Sequence, residues 1–387
     1  MILKWVKMYQ ILMSGKYSIA LGKESARESN AQILILSNLE IKLMTNKQWE
    51  GLLALVDGKQ LTNKEIGFII DSPWLPGWCG VSTLDYYTSD EIWLSSNLKA
   101  IETFRDVTFL PGFWSEYGMC TEPSAFGARS IWYNENLPHA EKVIHSSYDI
   151  AGLPQPNVKT DGLLPFMINR LRNLEPRILE AGHSIKFAVT RGPLNIATFL
   201  MGTTEFMMLL AMEPEKAHEL LDKITRFICD WVQYQKECFP SIEGILLLDD
   251  IVGFVGEEDC REFVVPYLTK AFNCIETKVR FFHNDAYGLV CAPFLSEMGI
   301  NLFNFAFDHP INQIRELAGP VVALIGNLAP RDILAAGTPG EVYSATQAMI
   351  REVTDCKRII WSCGGGIPQD VSTENLNAFI SAVKNFQ

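Results

Sequence analysis

Val279-Arg280-Phe281-Phe282-His283-Asn284-Asp285 reads as one short buried strand that ends in polar chemistry. Residues i and i+2 of a strand face the same way, so His283 and Asp285 share a side and Asn284 takes the other. Six further runs, 67–71, 185–190, 244–249, 302–307, 321–326 and 358–362, are likewise short, apolar and β-rich. Polar residues fall at their C-terminal ends: Asp71, Arg191, Asp249-Asp250, Asp308-His309, Asn327, and Cys363 ahead of three glycines. Helical patterns at 204–227, 257–277, 338–354 and 373–385 separate several of them. Strand–helix alternation over three hundred residues implies a parallel sheet. An open doubly wound sheet would also place ligands at strand C-termini, but no Gly-x-Gly-x-x-Gly follows the first strand and the units are too many. The pattern predicts an α/β fold, a (β/α)8 TIM barrel with its site at the C-terminal rim. The eighth strand is expected within 107–150.

The 387 residues suit a single barrel with insertions, and nearly half of them are apolar. A net charge of −12 argues against a nucleic-acid partner, which excess Lys and Arg would have to hold. Nothing approaches eighteen consecutive apolar residues, so a membrane span is not expected. Nine cysteines without a C-x-x-C read as a reducing compartment, with the cytoplasm as the expected location. Residues 1–43 carry six Lys/Arg against three Glu and no strong periodicity. They read as an extension, disordered or arising from a misplaced start, with an ordinary helical lead-in as the alternative. Thr45-Asn46-Lys47-Gln48 fits a capping box ahead of the amphipathic 49–56, so the barrel domain is expected to span 44–387.

Chemistry is expected at three strand ends. His283 and Asp285 could ligate one metal, and with a distant Cys363 would make a zinc set with one position open. Alone, H-x-D is a weak signal, and a hydrogen-bonded histidine at a strand end is its commoner meaning. Asp249 and Asp250 could orient a substrate, act as acid or base, or support a metal; strand parity allows only one of them to face the mouth. Their alternative is to cap a helix. The glycines after Cys363 would let the backbone approach a ligand, Gly365 among them. Cys363 could also be an inert buried thiol, and Cys291 is expected on the following helix, facing away. Trp74, Trp78 and Trp114 lie in proline- and glycine-stiffened loops that could wall a pocket for a flat ligand or form a structural cap. No G-x-S-x-G elbow, Walker loop or H-E-x-x-H is present.

Several separated motifs carry a family resemblance from about residue 65 to the C-terminus. They are Gly192-Pro193-Leu194-Asn195-Ile196-Ala197-Thr198-Phe199, Leu248-Asp249-Asp250, Ile325-Gly326-Asn327-Leu328-Ala329-Pro330, Gly337-Thr338-Pro339-Gly340-Glu341-Val342, and Gly364-Gly365-Gly366-Ile367-Pro368 with Glu374-Asn375. In these the chain resembles the uroporphyrinogen decarboxylase superfamily, whose branches are a haem-pathway decarboxylase and zinc-dependent methyltransferases that exchange methyl groups with a corrinoid protein. The decarboxylase's R-Q-A-G-R motif is absent, its essential Asp falls near Gly118, its Tyr on Phe199 and its terminal His on Gly365. Decarboxylation of uroporphyrinogen is therefore not expected. The methyltransferase branch ligates zinc through H-x-C and a Cys before the terminal Gly-Ile. Here His283 is retained, Asp285 replaces the first Cys, and Cys363 lies two residues upstream of the second.

What the resemblance implies is transfer of a methyl group between a small molecule, such as a methoxylated aromatic, and a partner's methyl-corrinoid. Zinc on His283, Asp285 and Cys363 would act as Lewis acid. Glu122, Asp249 or Asp250 would orient the substrate, with Trp74, Trp78, Trp114, Asn327 and Gly365 enclosing it. The alternatives are a decarboxylase acting on a different acid and a non-catalytic small-molecule-binding barrel. The methyl donor and the oligomeric state stay open.

Overall fold

A computed structural model describes residues 46–386 except 60, 62, 71, 72, 287 and 288. The expected extension 1–43, the domain start at Met44, the Thr45 cap and Asp71 lie outside the described residues. Eight strands form one parallel sheet: β1 Glu65–Ile69, β2 Thr108–Leu110, β3 Phe187–Arg191, β4 Gly244–Leu248, β5 Val279–Asn284, β6 Leu302–Phe305, β7 Ala323–Leu328 and β8 Ile359–Cys363. Hydrogen-bonded neighbours run in the order β2-β1-β8-β7-β6-β5-β4-β3, with helices between successive strands. This is the (β/α)8 barrel that the alternation predicts. β2 falls inside the expected 107–150 interval.

Among the described residues no ladder crosses the seam between β2 and β3, and side-chain contacts flank β3 at both ends. At the bottom Trp49 meets Phe187 edge-on, with ring centroids 5.5 Å apart. At the top the Arg191 guanidinium is 2.6 Å from the Glu116 carboxylate.

Parity along each strand sorts the core into two layers. Phe187, Val189, Leu246, Leu248, Phe281, Leu302, Ile325 and Ile360 fill the barrel together with Leu110 and Trp114. Trp49, Leu52, Leu55 and Val56 of the helix Asn46–Val56 belong to the same layer and plug its lower end. Alternate residues such as Ala188, Leu247, Phe282, Phe303, Leu324 and Trp361 meet the outer helices. Each fully buried side chain of this size contributes roughly 1.5–3 kcal/mol through removal from water.

The helix expected over 204–227 is broken. Thr203–Met212 ends at Glu213, and Pro214 starts a new helix that runs to Cys238, because proline at the first turn needs no N–H partner. The 257–277 segment likewise divides, with a wide π turn at Cys260–Val264 ahead of the helix Val265–Asn273. Thr338 and Glu341 form a reciprocal capping box at the start of Pro339–Glu352. Among the described residues no single helix is long and apolar enough to cross a membrane.

Candidate active site

Inward parity that places Phe281 inside the barrel also turns His283, two residues on, into its mouth. His283 is buried, and its Nδ1 lies 2.7 Å from Asn304 Oδ1. Asn304 is fully buried on β6, and its own amide donates to the Ile325 carbonyl at 2.8 Å. That second bond fixes which end of the amide faces the ring, so Oδ1 must accept and Nδ1 must carry the proton. Nε2 then faces two carboxylates, Asp250 Oδ1 at 3.6 Å and Asp285 Oδ2 at 3.8 Å.

Asp250, His283 and Asp285 each offer a ligand atom within 4.8 Å of the other two. Ligands about 2.0–2.2 Å from a shared tetrahedral ion stand about 3.4 Å apart, so the group fits a divalent cation with small adjustments. The imidazole already has the tautomer that ligation requires, held by a buried partner. The backbone N–H of Asp285 donates to Asp250 Oδ1 at 3.2 Å, which ties the Asp250 carboxylate to the end of β5. Asp285's carboxyl is pushed above its usual range by its low-dielectric surroundings; His283 pulls it down, and the Asp250 carboxylate raises it further.

Gly365 is needed where Asp285 sits. Its φ is +105°, and a Cβ there would lie 2.5 Å from Asp285 Oδ2. Around this carboxylate opens a cavity of about 650 Å³ lined by Pro73, Leu137, Asp285, Arg331, Gly364 and Ile367. Arg331, on the turn after β7, is its cation and also draws Asp285's carboxyl downward. Sequence reasoning passed over both Asn304 and Arg331. Asn304 had a usable signal, a lone amide at the inward position of Leu302-Phe303-Asn304-Phe305.

The neighbouring acid has a different job. Asp249 is fully buried with outward parity, and its carboxylate accepts from the N–H groups of Leu194 (2.8 Å) and Asn195 (3.0 Å). These open the helix Pro193–Met201, so Asp249 caps a helix instead of facing the mouth. Gly192 makes the clamp possible, because a Cβ there would meet Asp249 Oδ2 at 2.3 Å. Burial raises the Asp249 carboxyl well above the ordinary range, while the bond from Leu194 opposes that.

Cys363 is not brought to the metal-sized group. It takes the parity opposite to Ile360 and Ser362 and belongs to the outer layer, where its thiol donates to the carbonyls of Gly365 (3.5 Å) and Gly366 (3.6 Å). Asp250 stands in the place expected for it. Cys291 is also in the outer layer; it accepts from Asn284 Nδ2 at 3.6 Å, and burial pushes its thiol up to about 12.

The expected aromatic wall is mostly a cap. Trp74 is fully buried, stacks on Trp78 with centroids 5.0 Å apart, and donates to the Val371 carbonyl. Trp78 donates to Thr373 Oγ1, so the pair fastens the start of the helix Thr373–Lys384. Trp114 lies inside the barrel and donates to the Ile70 carbonyl at 3.2 Å. Asn327 donates through Nδ2 to the His309 carbonyl and lines a separate cavity of about 400 Å³ with Phe307, Asp308 and Met349. Glu122 is buried at the seam, where Oε1 accepts from the Arg191 N–H at 2.9 Å and Oε2 has no hydrogen-bond partner. Burial raises its carboxyl, Arg191 opposes, and Glu116 adds to the rise.

Comparison with known proteins gives this geometry a context. The family model described as uroporphyrinogen decarboxylase (URO-D) matches residues 78–386. A methylated-thiol–coenzyme M methyltransferase of Methanosarcina mazei is 25% identical over 275 residues, covering 70% of this chain and 71% of the relative. A uroporphyrinogen decarboxylase of Chlorobaculum parvum is 27% identical over 180 residues, which span 44% of this chain and 50% of the relative. Among solved structures, a methyltransferase from Methanosarcina mazei superposes over 87% of this chain and 97% of its own, with a TM-score of 0.73 at 16% identity. That likeness speaks to the fold.

Proposed function

The chain belongs to the uroporphyrinogen decarboxylase family, and on that premise we propose that it is a methyltransferase. It moves a methyl group between a small methylated molecule and a corrinoid carried by a partner protein. The observation that carries this reading is the convergence of Asp250, His283 and Asp285 at the C-terminal ends of β4 and β5. Similarity to the methylated-thiol–coenzyme M methyltransferase supports the choice of branch.

Asp250, His283 and Asp285 would hold zinc, which supplies a Lewis acid for the heteroatom that bears the methyl group. The chain's own residues set up the rest. Asn304 holds a proton on Nδ1 of His283 and aims Nε2 at the mouth. Gly365 leaves Asp285 room, and Arg331 offers a cation to any anionic part of the substrate. Apolar Pro73, Leu137 and Ile367 suit the carbon skeleton of a small molecule, for which a methoxylated aromatic is the working candidate. Uroporphyrinogen itself is disfavoured, since its carboxylates need several cations and among the described residues the mouth cavity has Arg331 beside Asp285 and Asp370.

The test is elemental analysis of anaerobically purified protein, with methyl transfer to supplied cob(I)alamin followed by absorbance. About one zinc per chain is expected in the wild type and in Cys363→Ser, and none in His283→Ala, Asp250→Ala or Asp285→Ala. Transfer should follow the metal. A wild type that holds no zinc after reloading, or zinc retained by all three alanine variants, would overturn the reading.

A further inference from the structure

Two partly exposed cysteines meet where the outer helices behind β3 and β4 come together. Cys229 lies in the helix Pro214–Cys238, and Cys274 caps the end of the helix Val265–Asn273. Their sulfurs lie over consecutive carbonyls of one helical turn: Cys229 Sγ is 4.0 Å from Lys270 O, and Cys274 Sγ is 3.0 Å from Ala271 O. The two thiols also hydrogen-bond to each other while remaining unlinked. Contact with Cys274 lowers Cys229; burial opposes this, and the Lys270 ammonium lowers it again. Cys274 is raised by the same bond and by burial. A thiol that ionises easily, partly exposed and beside a second thiol, has the arrangement of an attacking cysteine with its resolving partner.

We infer that Cys229 and Cys274 form an oxidisable dithiol pair that closes to an intramolecular disulfide when it meets a low-molecular-weight disulfide. The Cys229 thiolate attacks one sulfur of RS–SR, forming a mixed disulfide and releasing one thiolate. Cys274 gives its proton to solvent and attacks Cys229 Sγ, which forms the internal bond and releases the second thiolate. Two protein thiols are oxidised, and one small disulfide is reduced to two thiols. The bond ties the helix Pro214–Cys238 to the segment that leads into β5, the strand of His283. Selectivity follows from contrast with the buried cysteines: burial pushes Cys260 and Cys291 up to about 12, which leaves them unreactive.

The test treats the native, full-length protein with oxidised glutathione, alkylates the remaining thiols, and maps tryptic peptides by mass spectrometry. Cleavage at Lys and Arg isolates Cys229 in 227–236 and Cys274 in 271–278, each with one cysteine. The expected result is loss of two of the nine thiols and a linked pair of these two peptides. Cys274→Ser should instead accumulate a stable glutathione adduct on Cys229. The inference is overturned if all thiols survive or if the wild type keeps a glutathione adduct on Cys229 with no linked peptide. A link that appears only after unfolding in urea overturns it as well.

Discussion

Replacing Asp249 by alanine removes a fully buried carboxylate that holds the start of the helix Pro193–Met201 against the end of β4. Two backbone donors, the N–H groups of Leu194 and Asn195, then lose their acceptor in a place water does not reach. Each such orphan costs about 1–3 kcal/mol. The variant also sheds a carboxyl that burial disfavours in its ionised form, which offsets part of the loss. The expected net cost is about 2–4 kcal/mol, above the usual range for a single helix cap because two buried donors are orphaned. Asp250→Ala is the contrast. Its side chain is 35% exposed and accepts from the Asp285 N–H, so its loss should cost about 1 kcal/mol or less while removing zinc. Urea unfolding of the wild type and both variants, stripped of metal with a chelator, at pH 7, followed by tryptophan fluorescence and far-UV circular dichroism, measures the first quantity, and elemental analysis of the untreated preparations measures the second. A lower midpoint with unchanged slope in Asp249→Ala would mark a pure stability change. The reasoning fails if Asp249→Ala unfolds within 0.5 kcal/mol of wild type yet loses its metal, or if Asp250→Ala is the less stable of the two.

Asn304→Leu should keep the barrel but release His283, leaving both ring nitrogens free to carry the proton. Competition against a chromophoric chelator is expected to show zinc affinity down about 10–100-fold, the usual effect of losing a ligand's orienting partner; unchanged affinity would refute the role given to Asn304. Glu122→Gln tests the buried acid at the seam. Its carboxyl is raised in the folded state above the 4.5 of the free group, so the folded chain binds the proton more tightly than the unfolded one. Wild type and variant should therefore match in stability below pH 4.5, and the variant should gain on wild type as the pH climbs toward the folded value. Denaturation across that range checks the sign, and a variant that loses ground as the pH rises would contradict it.

Strand parity made most of the site legible in the sequence, and its limits explain the rest. His283 and Asp285 share the inward side because Phe281 and Val279 do, a statement that needs only the period of a strand. The same period says that Asp249 and Asp250 diverge, but choosing the inward one requires the phase of β4. Leu246 and Leu248 supply that phase only once they are seen packing inside. Cys363 shows the opposite hazard. It is the last residue of its strand and precedes a glycine run, which made it resemble a ligand, while Ser362 already occupies the inward position. The tryptophans were ambiguous for another reason: composition gives a loop its stiffness and says nothing about which face it covers. Trp74 and Trp78 turn to the C-terminal helix because Val371 and Thr373 offer acceptors there. The break at Glu213-Pro214 was readable, since proline at a first turn starts a helix as readily as it ends one.

The change of third ligand also bears on the bond this barrel would break. With Cys363 in the outer layer and Asp250 beside His283, the group contains one nitrogen, two carboxylates and no sulfur. Thiolates give electron density to a bound ion and suit it to soft partners; carboxylates leave more positive charge on it and favour oxygen or nitrogen. The Methanosarcina mazei relative is named for a methylated thiol, and at 25% identity the site residues are free to differ. The donor set here therefore points the proposed methyl transfer toward an ether or amine substrate. A departing phenoxide needs a hard acid close to its oxygen, which a thioether does not. On this reading Asp285 gives the proposed site its preference for an oxygen or nitrogen leaving group, and Gly365 leaves it room.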